Sequence, residues 1–385
     1  MSKPYYVTLT GNRNNAGDFL IRHRGHELLR RLRPDRDLVD LDAWEALDGA
    51  ALERVNAARA LILLGGPALR RDMYPAVYPL AEDLDRIRVP IIIMGAGWSS
   101  FPGYWPETRR YRFTPPTRDL LGRCLRIGVR DYRSLNALLL QGLDRAVMTG
   151  CPALYSEPHL GAPPPPPFAG QPASVVFSQG ISFLRSPGAD AATRDLILAL
   201  QTHYPAAELT VAFHHSTDAA TLRAAYGSEP PFHARQTELV HWLENRGIAY
   251  RDISGGVDRL MDLYQSADLH VGQRVHAHIF CCSVNRPSVL LTEDGRGQGL
   301  REVLGGLILD THDGRSLPTV RERVVKRLGL RRRSGDPYRA NAFLGREVIA
   351  HLDYEARSGG LRLAVPRGRI DAHYPAMQRF ISELP

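Results

Sequence analysis

The chain has 385 residues, 44% hydrophobic and 23% charged, which is the composition of an ordinary globular protein long enough for two domains. Its longest apolar runs are far shorter than the roughly 20 residues that cross a bilayer. The N-terminus enters a strand without a signal-peptide core, so we expect a cytoplasmic protein. The net charge of +8 favours acidic partners. It comes without a zinc finger, basic helix or aromatic RNA-binding motif, so nucleic acid is not an expected partner.

The cysteine and histidine spacings point to no metal. Four cysteines, at positions 124, 151, 281 and 282, have no CxxC spacing and are predicted to be reduced and buried. No cluster of His, Cys and Asp has the spacing of a metal site, so we expect none.

The first predicted strand, Tyr5–Thr10, runs into a Gly- and Asn-rich turn, GNRNNAGD at residues 11–18, and then into a helix. Such a turn lets a ligand approach the backbone, so Gly11 and Asn12 are candidate substrate-binding residues. The turn is not a Walker loop, because the Lys-Ser/Thr pair is missing and Asp18 would repel a polyphosphate. Asp18 suits a hydrogen bond to a hydroxyl, or it caps the helix.

Strands and helices alternate through the rest of the first half, which indicates a doubly wound parallel sheet. Strands are predicted at residues 37–41, 59–64, 89–94, 125–129 and 146–149, and helices at 19–32, 49–57, 78–86 and 134–141. Gly95 and Gly97 end one of these strands. Glycines there suit close approach of a ligand, so both are candidate substrate-binding residues, although tight turns also need glycine without a ligand.

A proline-rich segment, residues 157–174, divides the chain. Its five consecutive prolines are typical of a stiff polyproline II spacer. We therefore predict a first domain at 1–160, a linker at 161–173, a second domain at 174–333 and a tail at 334–385 that packs back on the first domain. The alternative is a rigid surface loop within one domain.

The second half repeats the α/β alternation, which predicts two Rossmann-like domains with the site in the cleft between them. Strands are predicted at residues 175–178, 209–213, 249–253, 268–271 and 288–291, with helices at 191–203, 235–246, 257–265 and 275–284, and tail helices at 341–351 and 374–384.

The stretch Asp268–Leu300 carries the polar groups of greatest interest. It is predicted as a strand, a helix and a second strand, the parallel crossover unit. Arg274 and His276 follow the first strand, and Arg296 follows the second. Ligands of open α/β sheets bind at the carboxyl ends of strands. Two arginines and a histidine there suit a phosphate or carboxylate.

A basic run, residues 321–334, has seven basic residues and one acidic residue. It is interpreted either as a solvated helix end or as a patch that meets anionic lipid or a lipid-linked phosphate. The second interpretation places the protein at the inner face of the membrane.

Several motifs resemble those of the polysaccharide pyruvyl transferase family. They are GNRNNAGD, LILLGGP, IIIMGAG and GVRDYRS in the first half, and ADLHVGQRVHAHIF followed by PSVLLTEDGR in the second. The Arg-x-His-Ala core at 274–277 is the most specific element. The resemblance implies two Rossmann-like domains facing across a cleft, as in type B glycosyltransferases, with an acceptor side in the first domain and a donor side in the second. It also implies transfer of the enolpyruvyl carbons of phosphoenolpyruvate onto a sugar hydroxyl, usually as a cyclic ketal, with release of phosphate.

The resemblance places Arg130, Arg274, His276 and Arg296 at the phosphoenolpyruvate site. Arginines suit its carboxylate and phosphate. We interpret His276, Asp18 and Arg274 as the catalytic residues: His276 is the general acid or a phosphate ligand, and Asp18, across the cleft, takes the acceptor proton. Phosphoenolpyruvate is then a co-substrate, no cofactor is expected, and the acceptor is a glycan or a lipid-linked saccharide.

Other interpretations of these residues remain open. Arg130 and Asp131 suit a simple ion pair, and Glu293 and Asp294 suit neutralisation of Arg296. His278 lies two residues from His276, on another face of the helix, and is interpreted as structural. At the level of function, the alternatives are a glycosyltransferase with a nucleotide-sugar donor and a non-catalytic relative that binds anions or glycans.

Overall fold

The computed structural model describes residues 3–11, 13–101, 105–181, 187–315 and 338–385. Its core consists of two parallel six-stranded sheets. The strands of the first sheet are β1 (Tyr5–Thr10), β2 (Asp37–Asp42), β3 (Ala60–Leu64), β4 (Ile91–Ala96), β5 (Cys124–Val129) and β6 (Ala146–Met148). Those of the second are β7 (Ser174–Gln179), β8 (Glu208–Phe213), β9 (Ala249–Asp252), β10 (Leu269–Gly272), β11 (Ser288–Thr292) and β12 (Leu307–Asp310). A hairpin, β13 (His312–Arg315) and β14 (Tyr338–Ala340), follows.

Helices connect the strands. Those of the first half are α1 (Ala16–Leu32), α2 (Gly49–Asn56), α3 (Trp105–Arg110), α4 (Pro115–Arg123) and α5 (Tyr132–Leu139). Those of the second are α6 (Pro187–His203), α7 (Ala219–Tyr226), α8 (His233–Glu244), α9 (Asp258–Ser266), α10 (Val275–Ser283) and α11 (Gly295–Val303), and the chain ends with α12 (Leu344–Arg357) and α13 (Leu361–Ser382).

The sheet topology places two polar turns where ligands bind. The strand orders are β2-β1-β3-β4-β5-β6 and β12-β11-β10-β7-β8-β9. The order reverses between β1 and β3 in the first sheet and between β10 and β7 in the second, and ligands of such sheets bind beside these reversals. Asp18 follows β1, and Arg274 and His276 follow β10. All residues of β3 and β4 are buried, because helices cover both sheet faces.

The predicted doubly wound parallel sheets are confirmed, but the helix predicted at 78–86 is wrong. The structure has a π-helical turn at Met73–Val77 and a 3-10 turn at Leu84–Arg86 instead. Pro79 has no backbone N–H to donate, and Leu80 has a positive φ of 42°, which does not fit a right-handed helix. Helix α11 was not predicted, because three of its first five residues are glycine and glycine is a poor helix former.

The last two helices, α12 and α13, contact both domains. On the first sheet, the Tyr6 hydroxyl donates to the Pro385 carbonyl at 2.6 Å, and Arg126 pairs with Glu383. A Cβ on Gly128 would lie 3.2 Å from the Phe380 ring, so α13 lies against β5. Helix α12 packs on α6. Within the described ranges, no helix is both long and apolar enough to cross a membrane.

We expect Phe380→Ala to lower the free energy of unfolding by about 3–5 kcal/mol, because it removes a core ring and leaves a cavity against β5. Phe380 is 1% exposed, whereas Phe343 is 63% exposed. The control Phe343→Ala should change the free energy by less than about 0.5 kcal/mol. Equal values for the two variants in urea denaturation would contradict this packing of α13.

Candidate active site

The turn at residues 11–18 joins the two halves of the site. The buried Asn14 side chain accepts a hydrogen bond from the Ser216 backbone N–H at 3.0 Å, and the Asn14 carbonyl accepts one from Gly255 N–H at 2.8 Å. Ser216 and Gly255 follow β8 and β9, so the first strand-to-helix turn of one sheet lies on the strand ends of the other. This places residues of both domains around one cleft.

Asn15, not Asp18, caps helix α1. The Asn15 side-chain oxygen accepts from Gly17 N–H at 3.4 Å, and its amide donates to Asp18 Oδ2 at 3.1 Å. The interpretation of Asp18 as the cap of this helix is therefore wrong. Asp18 lies in the first turn of α1 and lines the cleft.

His276 lies against the first turn of α1. A Cβ on Gly17 would be 2.6 Å from His276 Nδ1, so only glycine allows the imidazole this close to the backbone of the other domain. Nε2 of His276 has no hydrogen-bond partner among the described residues. Burial, followed by the charges of Arg130, Arg296 and Arg274, lowers the pKa of His276 to about 3. The ring is therefore neutral at pH 7 in the free protein.

Arg130 is a buried cation with unused donors. Its side chain is 1% exposed, its Nε lies 3.5 Å from Asp131 Oδ2, and its two terminal nitrogens have no hydrogen-bond partner among the described residues. The ion pair predicted as an alternative is present, but it uses only one edge of the guanidinium. A buried guanidinium with unpaired N–H groups is energetically unfavourable, and an anion would supply the missing acceptors.

Gly95 and Gly97 are placed for packing rather than at the cavity surface. A Cβ on Gly97 would lie 1.9 Å from Arg130 Nε, and a Cβ on Gly95 would lie 2.3 Å from Pro152 Cδ. Neither glycine belongs to the lining of the main cavity. Gly97 therefore acts on the site through the room that it leaves for Arg130.

Arg274 and Arg296 have different hydrogen-bond partners. Arg274 Nε donates to the Gln179 carbonyl at 2.5 Å. Arg296 donates from Nε to both oxygens of Asp294, at 3.0 and 2.9 Å. Burial raises the pKa of Asp294, but the attraction and hydrogen bonds of Arg296 outweigh it and keep the pKa below its ordinary value. Asp294 thus neutralises Arg296 in part, which was one of the open alternatives.

A cavity of about 800 Å³ lies between the domains. Of the predicted site residues, Gly11, Asp18, His276 and Arg296 line it. Arg130 and Arg274 are outside this lining, but both lie close enough for their charges to lower the pKa of His276. Asn12 lies outside the described residues. Asp18, His276 and Arg296, which were predicted from different parts of the sequence, therefore share one cleft, and the charges of Arg130 and Arg274 act on it.

Two aromatic residues of the lining, Trp44 and Tyr78, were not predicted. Trp44 comes two residues after the end of β2, and its position at a strand end was an available signal. Tyr78 was placed inside the helix wrongly predicted at 78–86, so it was not considered for the site.

Asp18 has the electrostatics of a proton acceptor. Burial raises its pKa to about 6, against the opposing effects of the Asn15 hydrogen bond and the charges of Arg296, Arg274 and Arg130. At pH 7 it is mostly ionised and more basic than an exposed carboxylate.

His278 is buried in the second domain, where its Nδ1 lies 2.6 Å from Ser288 Oγ.

We expect Asp18→Asn to stabilise the protein above pH 7 by roughly 3 kcal/mol at most, since one pKa unit corresponds to about 1.4 kcal/mol. The folded-state pKa of Asp18 lies above its ordinary value of 3.8, so wild-type stability falls as the pH rises through about 6. The gain should disappear below pH 4. Urea denaturation between pH 4 and 8 measures it, with Asp144→Asn at an exposed site as control. A gain that does not depend on pH would contradict the pKa assignment.

The comparisons with known proteins agree with this architecture. A family model for polysaccharide pyruvyl transferase matches residues 15–295. A Listeria monocytogenes structure assigned as a UDP-N-acetylglucosamine 2-epimerase has 12% identity, a TM-score of 0.53, and coverage of 98% of this chain and 95% of that chain. The Methanocaldococcus jannaschii UDP-GlcNAc 2-epimerase in complex with UDP-GlcNAc and UDP has 12% identity, a TM-score of 0.48, and coverage of 92% and 100%. A search of the curated proteins gives no match.

The similar structure and the family model support different conclusions. The Listeria structure shows the fold alone, two Rossmann-like domains as in type B glycosyltransferases. The family model covers well over half of the chain, from the last residues of the turn after β1 to the first residue of α11. The chain is therefore a transferase that belongs to the polysaccharide pyruvyl transferase family.

Proposed function

We propose that the protein transfers the pyruvyl group of phosphoenolpyruvate onto a sugar hydroxyl and releases phosphate. The observation that carries this proposal is the buried guanidinium of Arg130, whose terminal nitrogens have no partner among the described residues, beside the neutral His276. Phosphoenolpyruvate offers two anionic groups, and arginines bind carboxylate and phosphate in bidentate geometry. Arg130 of the first domain and Arg274 and Arg296 of the second bind these groups.

The chemistry begins at the methylene carbon of phosphoenolpyruvate. A proton delivered to this carbon forms a methyl group and makes C2 electrophilic. Asp18 accepts the proton of the acceptor hydroxyl, whose oxygen forms a bond to C2. The bond from C2 to the phosphate oxygen then breaks, and the arginines stabilise the departing phosphate. The oxocarbenium ion left at C2 then either loses a proton from its methyl group to the now neutral His276, which gives an enolpyruvyl ether, or bonds to a second acceptor hydroxyl whose proton His276 accepts, which gives a cyclic ketal.

His276 supplies the first proton in this scheme. Its pKa is about 3 in the free protein because the ring is buried and faces three arginines. A bound anion neutralises those arginines and hydrogen-bonds to the ring, and both effects favour the protonated form. The general acid is therefore created by substrate binding, and the free protein keeps a neutral ring.

We expect phosphoenolpyruvate to protect the wild-type protein against thermal unfolding. At one hundred times its dissociation constant, a ligand raises the free energy of unfolding by about 2.7 kcal/mol. Arg130→Met removes the unpaired donors and should abolish most of this protection. Arg118→Met, at an exposed position on α4, is the matched control and should keep it.

Nucleotide sugars, tested in the same way, separate the alternatives. Protection by a nucleotide sugar but not by phosphoenolpyruvate would overturn the proposal in favour of a glycosyltransferase. Protection by phosphoenolpyruvate without phosphate release, across a panel of saccharide acceptors, would leave a binding protein. Phosphate release that is unchanged in both Arg274→Ala and His276→Ala would remove these residues from the reaction.

We also propose that the acceptor is lipid-linked and that residues 321–334, which lie outside the described residues, contact anionic lipid. The seven basic side chains are attracted to a negatively charged surface by about 1 kcal/mol each at most. We expect co-sedimentation with liposomes that contain phosphatidylglycerol, lost at 0.5 M salt and in a variant with Arg331, Arg332 and Arg333 changed to Gln. Binding that does not depend on salt, or no binding, would contradict the membrane contact.

A further inference from the structure

One half of the cavity is formed by the first domain and differs from the arginine-rich half. Leu64, Pro67, Pro75 and Val77 give it an apolar wall. Arg70, the one arginine among the described first-domain residues of this wall, is exposed, and its Nε lies 3.6 Å from Asp72 Oδ1. Such a surface suits the apolar face of an uncharged ligand better than a second anion.

Tyr78 brings a phenol hydroxyl to this wall. The residue is 4% exposed, yet it lines the cavity, and its hydroxyl has no hydrogen-bond partner in the part of the chain that the structure describes. Burial, and then the charge of Asp18, raises the pKa of Tyr78. The phenol is therefore protonated at physiological pH, and Tyr78 and Asp18 line the same cavity.

Hydrogen bonds hold the loop that carries Tyr78. The Tyr78 N–H donates to the Met73 carbonyl at 2.9 Å, and the Leu47 N–H donates to the Leu80 carbonyl at 2.8 Å. The Tyr74 hydroxyl donates to the Ala81 carbonyl at 2.7 Å. These hydrogen bonds fix the backbone on both sides of Tyr78, which lines the cavity.

Trp44 adds a second donor. Its indole lies beneath the Arg13 guanidinium, with the Arg13 Cζ 5.1 Å from the ring centroid, and it stacks on Tyr226 at 5.9 Å. A Cβ on Gly11 would lie 2.8 Å from Trp44 Nε1, so Gly11 leaves room for this edge of the ring. The Nε1–H has no partner among the described residues, and Trp44 lines the cavity.

We propose that Tyr78 determines acceptor specificity by binding a second hydroxyl of the saccharide whose attacking hydroxyl is held by Asp18. This inference rests on the proposed function and assigns the acceptor class as an uncharged pyranose. The apolar face of the sugar packs on Pro67 and Pro75, and Trp44 Nε1–H donates to a further oxygen. Tyr78 is a positioning residue, because the bonds that form and break involve the hydroxyl at Asp18.

The test measures sugar binding without phosphoenolpyruvate. Methyl glycosides of glucose, galactose, mannose and N-acetylglucosamine, and the monodeoxy forms of the one that binds best, are titrated by saturation-transfer NMR. We expect Tyr78→Phe to weaken the best glycoside roughly tenfold, the value of one hydrogen bond. One monodeoxy glycoside should bind wild type roughly tenfold less tightly and bind Tyr78→Phe with no further loss.

The controls separate this inference from the proposed function. Tyr354→Phe removes a half-exposed phenol hydroxyl on α12 and should bind all glycosides as wild type does. Protection by phosphoenolpyruvate should be unchanged in Tyr78→Phe. A failure of the proposed phosphoenolpyruvate binding is therefore detected separately from a failure of this inference. Trp44→Phe keeps a ring and should also weaken binding. No binding of any glycoside to wild type, or equal binding by Tyr78→Phe, overturns the inference.

Discussion

The site depends on one buried amide. Asn14 lies in the first domain, but the partners of its side-chain oxygen and its carbonyl are backbone N–H groups of the second domain, at Ser216 and Gly255. A buried polar group that loses its partners is strongly unfavourable, so this contact fixes the turn at residues 11–18 against the second sheet. The contact therefore helps to set the positions of Asp18 and His276 relative to each other.

The charges of Arg130, Arg274 and Arg296 lower the pKa values of Asp18 and His276. They oppose the effect of burial on Asp18, which still keeps a raised pKa of about 6. They reinforce the effect of burial on His276, which stays neutral. The free site thus holds a basic carboxylate and an uncharged imidazole within a positive field. An anion is the ligand that relieves this field, and its arrival changes the proton affinity of both groups.

The sequence predicted most of the fold, because buried parallel strands read as continuous apolar runs separated by helices. It also predicted that groups such as Arg274 and Arg296 lie at strand ends. Contacts between domains could not be predicted, since no local pattern shows that Gly17 touches a histidine more than 250 positions away. Tyr78 was missed because a helical pattern was assigned across Pro79 and the positive φ of Leu80.

The contact of Gly17 with His276 has a consequence for the spacing of the two domains. The ring lies so close that a single added carbon would meet Nδ1 at 2.6 Å, well inside van der Waals separation. The space between the first turn of α1 and the His276 ring therefore cannot hold even one added methyl group at position 17. Gly17 therefore limits how closely His276 can approach the turn that carries Asp18, although glycine has no side chain to take part in a reaction.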